Sequence, residues 1–256
     1  MFAIERRQAI IDYLKEKKSV TVKELSEKFF IGEATIRRDL EKIEKEGIIS
    51  RTYGGAVLVE GTHSEVPLSV RETDRKAEKE IIAKLASKYI RNGDIIIMDS
   101  SSTAMMMIDE FSKSDDLTVI TNGAKTAVSL AQQTSFKVYA TGGQMRENTL
   151  TYYGESANEF IEKFNADTLF FSCRALSIEK GITDPNEEEA KLKRLMISSS
   201  QKSVLLVDHA KFNASTFCKI GDIGIVDVII TDEKPDDAWD QYLKENQIEL
   251  VYQQIE

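Results

Sequence analysis

Histidine and cysteine are almost missing. The 256 residues hold two of each, His63 and His209, Cys173 and Cys218. Two cysteines make neither a disulfide framework nor a Cys-only metal site. Two histidines far apart in the chain argue against a zinc enzyme and against a histidine-based triad, so no metal site and no cofactor is expected. No apolar run approaches the ~18 residues that a membrane-spanning helix needs. The opening residues, MFAIERRQAI, mix charges into the first turns and lack the apolar stretch of a signal peptide. Gly-x-Gly-x-x-Gly occurs nowhere, which removes nicotinamide binding by that fingerprint. Internal repeats and low-complexity segments are missing too. These absences leave a cytoplasmic, reduced, globular protein, and its 41% apolar residues suffice for real cores.

Net positive charge is lacking overall but not everywhere. The chain carries −9, yet residues 1–58 hold 12 Lys/Arg against 10 Asp/Glu while residues 59–256 hold 22 against 33. A slightly basic head, net +2, precedes an acidic body of net −11. The body repels phosphates, so nucleic acid has only the head to bind.

Apolar periodicity divides the chain in the same place. Ile4, Ile10, Ile11 and Leu14 sit at helical spacing within 4–17. Thr21-Val22-Lys23-Glu24 is a capping box opening a short helix with Leu25 and Phe29 inward. A turn at Phe30-Ile31-Gly32 leads to a third helix over about 33–46, with Ile36, Leu40 and Ile43 on one face and Gly47 to end it. A strand at 48–53, a tight turn at Gly54-Gly55 and a returning strand at 56–59 complete a winged helix-turn-helix over 1–58, its helix-turn-helix at about 20–39. Residues 59–73, with Pro67, read as a linker. From residue 74 to 256 helices (74–91, 103–111, 124–132, 155–164, 187–201, 236–246) alternate with short apolar strands (95–98, 117–120, 136–140, 168–172, 204–207, 225–230, 248–252). That pattern predicts an α/β domain with a mostly parallel sheet covered on both faces.

In the head, Ile36 and Leu40 point inward, so Thr35, Arg37 and Arg38 point elsewhere from the first turns of the helix that enters the major groove in this motif. Arginine there grips a guanine edge or a phosphate. Arg51, Tyr53, Gly54 and Gly55 place the wing against the backbone or minor groove. With Glu5-Arg6-Arg7, the stretch 20–40 ending Thr35-Ile36-Arg37-Arg38-Asp39-Leu40, Gly47, Arg51 and Gly54-Gly55-Ala56, the head closely resembles that of the DeoR family of bacterial transcriptional regulators. The family usually has Ser where Gly32 stands; glycine also serves as an N-cap.

In the body, strand after strand ends in small or polar residues: Asp99-Ser100-Ser101-Ser102-Thr103, Thr121-Asn122-Gly123, Thr141-Gly142-Gly143 and Asp208-His209-Ala210-Lys211. In an open α/β sheet ligands bind beyond the carboxyl ends of strands, at a topological switch point. The serine run leading into a helix suits a phosphate, and Lys211 suits its charge. The Met105-Met106-Met107 triplet that follows reads as helix packing. Residues 75–232 resemble the sensor domain of the same family, a Rossmann-like fold shared with ribose-5-phosphate isomerase. The matching residues are Asp99 to Thr103 (Ser101 and Ser102 replacing Gly and Thr), Thr121-Asn122, Gly142-Gly143, Gly181-Ile182-Thr183, Glu189-Ala190, Lys193-Arg194, Asp208, Ala210-Lys211-Phe212 and Ile230-Thr231-Asp232. The resemblance implies that these loops bind a phosphorylated sugar, with Asp99, Ser100, Ser101, Ser102, Thr103, Thr121, Asn122, Gly142, Gly143, Glu189 and Lys211 as its contacts.

The expectation is a repressor of carbohydrate-metabolism genes rather than an enzyme. It binds a double-stranded DNA operator as a homo-oligomer, dimer or tetramer, under control of the phosphorylated sugar. The alternative is a sugar-phosphate isomerase with a DNA-binding head, recruiting Glu189, Asp208 and Lys211; the isomerase's Lys-Gly-Gly-rich loop is absent.

Overall fold

The computed structural model describes residues 2–45, 48–58, 66–111 and 116–253. They divide into two units at Val70 and Arg71. Expectations placed on Gly47, on His63 and on the rest of 59–65 lie outside the described residues.

The first unit begins with α1 (Ala3–Lys17), β1 (Ser19–Thr21), α2 (Val22–Phe29) and α3 (Glu33–Lys45). The capping box forms at α2: the Thr21 hydroxyl accepts from the Glu24 amide at 3.1 Å. The hairpin β2 (Ile49–Thr52) and β3 (Gly55–Leu58) follows, and β1 adds to it in the order β1-β3-β2. The short β1 has no alternating pattern to announce it. Ile10, Leu14, Leu25, Ile36, Leu40, Ile43 and Ile49 form the core; Ile4, at the same spacing, is exposed. Thr52 pairs with Gly55, so the two-residue loop is Tyr53-Gly54 rather than Gly54-Gly55.

The expected linker at 59–73 is partly structured. After Pro67, whose fixed φ suits a helix start, α4 (Leu68–Thr73) forms. Val66 and Val70 pack on the core of the first unit, so burial of apolar side chains overrides the loop-like composition.

The second unit holds α5 (Lys76–Ala86), β4 (Ile95–Met98), α6 (Ser102–Met105), β5 (Thr118–Thr121), α7 (Ala124–Gln133), β6 (Lys137–Ala140), β7 (Gln144–Arg146), β8 (Thr151–Tyr153), α8 (Glu155–Ile161), β9 (Ala166–Phe171), β10 (Ala175–Ser177), β11 (Gly181–Asp184), α9 (Glu187–Ser198), β12 (Ser200–Leu206), β13 (Cys218–Gly221), β14 (Val228–Ile230), α10 (Asp237–Glu245) and β15 (Glu249–Val251). The expected helix at 74–91 starts only at Lys76, because Arg75 takes a left-handed φ of 49°. Seven strands form one sheet in the order β15-β14-β12-β9-β4-β5-β6, and every pairing in it is parallel. Ile97, Leu169, Phe171 and Leu205 face one core with α8, α9 and α10. Ile96, Met98, Phe170 and Val204 face the other with α5, α6 and α7, and Met107 is buried there. The chain runs outward through β5 and β6 to one side of β4, then returns to β9 on its other side. The switch point therefore lies between β4 and β9.

Candidate functional site

In the first unit, α3 presents Arg37 and Arg38 to solvent and keeps Thr35 half-buried. Gly32 starts the helix, its carbonyl accepting from the Thr35 and Ile36 amides. Asp39, on the opposite face, is buried, and Arg6 of α1 grips it with two hydrogen bonds at 2.5 and 3.2 Å. That bidentate pair sets the angle of α3 against α1. Arg37 lies 3.2 Å from Glu33, one turn back. Arg51 is held more firmly: its Nε donates to Glu44 at 2.6 Å and its amide to the same carboxylate at 2.9 Å. These bonds, the backbone one first, hold the Glu44 carboxyl below its ordinary pKa. Arg51 thus ties the wing to α3. Arg37, Glu44, Arg51 and Gly55 border a cleft of about 350 Å³ between α3 and the hairpin.

Tyr53 and Gly54 form the exposed wing tip. Gly55 does not. It is buried, and a Cβ there would sit 2.0 Å from the Val20 carbonyl oxygen. The close approach of β3 to β1 requires that glycine, so its place among expected DNA contacts gives way to a packing role.

In the second unit the expected loops gather along the carboxyl edge of the sheet. Asp99 ends β4 and has no exposed surface. Its Oδ1 accepts from the Ser101 amide at 3.0 Å and from the Ser101 hydroxyl; its Oδ2 accepts from the Ser172 amide, beyond β9, at 3.0 Å. Asp99 therefore spans the switch point and has both oxygens occupied. Ser101 caps α6, its Oγ accepting from the Ala104 amide at 3.1 Å. Ser100, Ser102 and Thr103 are buried beside it, and Ser100 accepts from the Thr151 hydroxyl at 2.9 Å. Thr121 accepts from the Gly123 amide at 3.0 Å. A Cβ on Gly123 would meet the Ser100 Cα at 3.1 Å, so its absence lets the two loops touch. The buried Oδ1 of Asn122 has no hydrogen-bond partner. Gly142 and Gly143 take φ of +64° and +101°; they make the turn out of β6, which a side chain would strain.

Three residues of this site, Ser172, Asp184 and Lys193, were not among the expected contacts. Ser172, after β9, donates its hydroxyl to the Leu206 carbonyl at 2.6 Å and accepts there from Lys211 Nζ at 2.8 Å. Lys193 is buried on α9; its Nζ donates to the Ser172 carbonyl at 2.7 Å and to Asp184 at 2.6 Å, and lies 3.5 Å from Asp99. Burial pulls its pKa down, but the charges of Asp184, Asp99 and Glu189 and the Asp184 hydrogen bond outweigh that, and the pKa lies above the ordinary value. Glu189, one helical turn before Lys193, faces its charge; the i, i+4 spacing of these two was the available signal.

A second cationic group adjoins the first. Lys211 lies 3.8 Å from Asp208, and Arg75 lies 3.7 Å from the same carboxylate. Lys79 is buried on α5, with Nζ donating to the Arg71 carbonyl and, at 2.6 Å, to the Asp74 carbonyl. Burial first and the charge of Lys211 second lower its pKa to about 8. His209, Asp232 and Glu233 come within metal-ligand reach of one another. Both ring nitrogens of His209 already face protein groups, Nδ1 at 2.6 Å from Asp232 and Nε2 at 3.4 Å from Arg75. The Asp232 hydrogen bond raises the histidine pKa against the opposing effect of burial.

Comparison with known proteins agrees with this division. The DeoR-like helix-turn-helix domain matches residues 6–62, and the DeoR C terminal sensor domain matches residues 74–233. The chain is 37% identical to the uncharacterized HTH-type transcriptional regulator YulB of Bacillus subtilis, over 98% of this chain and 97% of that one. It is 37% identical to the HTH-type transcriptional regulator GolR of Listeria innocua, over 91% and 92%. It is 28% identical to the glycerol-3-phosphate regulon repressor of Escherichia coli, over 96% and 97%. Among solved structures, ribose 5-phosphate isomerase A of Methanocaldococcus jannaschii is similar over 54% of this chain and 55% of that one, at 14% identity and a TM-score of 0.41. Among the described residues, no helix is long and apolar enough to cross a membrane. With a helix-turn-helix model on its first unit and a sensor-domain model on its second, the chain belongs to the DeoR family of transcriptional regulators.

Proposed function

We propose that this chain represses carbohydrate-metabolism genes, and that a phosphorylated sugar bound at the β4–β9 switch point sets its affinity for double-stranded operator DNA. The DNA side rests on the basic, solvent-facing turn of α3 with Arg37 and Arg38, flanked by the Tyr53-Gly54 wing tip. Binding of DNA places the work of the chain in the compartment that holds the operator. Two linked heads gain affinity that a lone winged helix rarely reaches at physiological salt, so the working form is a homo-oligomer, dimer or tetramer.

The observation that carries the sensor reading is the unpartnered, buried Oδ1 of Asn122. A buried acceptor without a donor costs free energy unless a ligand supplies one. A sugar hydroxyl is such a donor, and it would sit where the loops after β4 and β5 touch. The phosphate partner is Lys211, held at the same sheet edge by Ser172. Asp99 and Lys193 hold the two sides of the switch point together rather than bind the sugar directly.

The isomerase alternative needs a carboxylate base poised at a carbinol carbon. Asp208 is committed between Arg75 and Lys211, and Glu189 faces Lys193. The names of the family and of the relatives describe regulators. Isotope exchange at the carbinol carbon separates the two readings, and none is expected.

The direct test is a thermal-shift screen of the full chain against phosphorylated sugars, then calorimetry with any hit. Lys211→Ala is expected to weaken binding by about 1.5–3 kcal/mol, the range for a hydrogen bond to a charged group. If Lys211→Ala and Asn122→Ala both bind the hit as the parent does, the site lies elsewhere.

A further inference from the structure

The turn between α2 and α3 contains a residue in an unfavourable state. Phe30 is the C-cap of α2 at φ 55° and ψ 45°, the left-handed region. That conformation suits glycine or asparagine and is an outlier for a bulky side chain. Ser26 imposes it: its carbonyl accepts from the amides of Phe30 and Ile31, and its hydroxyl donates to the Ile31 carbonyl at 2.6 Å. The neighbours Phe29 and Ile31 pack on the core of the unit. Phe30 does not, and is 95% exposed. The chain thus accepts backbone strain and leaves a whole aromatic ring in water, with no packing inside the unit in return. The left-handed turn itself closes α2 as a helix C-cap; what that role leaves unexplained is the side chain, a phenyl ring held in water where glycine or asparagine would close the helix at lower cost.

The position of the turn indicates which function. In a helix-turn-helix the first helix crosses the DNA backbone and the N-terminal residues of the second meet base edges. A side chain projecting from the turn joining them emerges at the lip of the major groove. Among the described residues of the head three aromatics are exposed, Phe2 before α1, Phe30 in this turn and Tyr53 on the wing tip, and Phe30 and Tyr53 are the most exposed. Arg37 and Arg38 lie on the helix between these two segments of chain.

We propose that Phe30 is a DNA-contacting residue that reads the operator through apolar contact, with a thymine methyl or a deoxyribose face as its partner. The proposal rests on the DNA-binding reading above and adds a term that salt does not screen. Phosphate contacts made by arginines weaken steeply with salt through counterion release. Burial of a phenyl ring against DNA does not involve counterions. Phe30 therefore makes operator affinity less dependent on the head's small positive charge.

The test uses the full chain and a duplex that the parent enriches from a random-sequence pool. Phe30→Gly relieves the left-handed strain, so amide exchange over residues 25–31 is expected to slow. Operator affinity is nonetheless expected to fall about tenfold, as for loss of a buried aromatic contact, with the slope of log affinity against log salt unchanged. Phe30→Leu is expected to keep part of the affinity. The Arg37→Ala, Arg38→Ala double variant is the contrast, losing affinity together with about one unit of slope for each phosphate contact removed. Unchanged affinity in Phe30→Gly overturns the proposal. So does a change in its mass by light scattering, which would assign the ring to an interface between copies. If the parent enriches no duplex at all, the DNA-binding reading fails rather than the role of Phe30.

Discussion

At the scale of single residues, burial and hydrogen-bond saturation separate groups that hold the sensor together from groups free to meet a ligand. Asp99 has both oxygens occupied, whereas Asn122 has an oxygen with nothing on it. Lys79 belongs to a third kind, a buried cation whose charge depends on its neighbours. Its pKa of about 8 lies below the ordinary 10.5 because burial and Lys211 disfavour the ammonium. Between those two values the unfolded chain binds more protons at this position than the folded one, so Lys79 makes stability rise with pH across that window. A phosphate against Lys211 offsets the repulsion and draws a proton onto Lys79. Effector binding near pH 8 is therefore expected to take up a fraction of a proton and to weaken as pH rises further. Calorimetry in two buffers of different ionisation enthalpy reads the uptake, and Lys79→Met should abolish it. A parent enthalpy independent of buffer would sink the assignment.

At the scale of elements, the break between α4 and α5 matters most. Residues 71–79 are strapped to the strand-end loop at 208–211 by the Arg75 contacts with Asp208 and His209, and are braced by Lys79 through the carbonyls of Arg71 and Asp74. This segment leads directly to the first unit, and Lys211 of the same loop is the proposed phosphate partner. Arg75→Ala is expected to leave sugar affinity within about threefold of the parent while reducing the effect of sugar on operator affinity, which ordinarily falls within ~5- to 150-fold. Titrating operator binding with and without the sugar checks this, and full coupling in the variant would show that the signal travels another way. The sequence marks a boundary at 73 and 74 but not α4, which lies inside the expected linker, nor the start of α5 at Lys76; the left-handed Arg75 is a tertiary outcome. The sheet strands were legible, since a parallel strand buried on both faces is a short unbroken apolar run. The three- and four-residue strands β1, β7, β8, β10, β11 and β13 carry no such run. In the site, the serine loop, Asn122 and Lys211 could be read from their positions after strands. Ser172, Asp184 and Lys193 reach it from β9, β11 and α9, which only the folded sheet brings together.

At the scale of the whole molecule, charge divides the labour. A head of net +2 meets the polyanion while a body of net −11 repels it everywhere except where its own cations gather. One such head covers a short site, and in the proposed homo-oligomer affinity would come from joining two. Light scattering of the full chain at micromolar concentration is expected to give a dimer or tetramer, and a strictly monomeric mass together with tight operator binding would contradict the proposed arrangement. The sensor's layout also bears on its reuse as a biosensor. Because Asp99 bridges β4 and β9 and Lys193 locks the same junction, both belong to the chassis, and changing them to admit a new analyte would loosen the sheet before it altered selectivity. Asn122 and Lys211, the proposed sugar and phosphate contacts, would be the interchangeable parts, so a library confined to those positions and their loop neighbours is where a detector for a different metabolite should be sought.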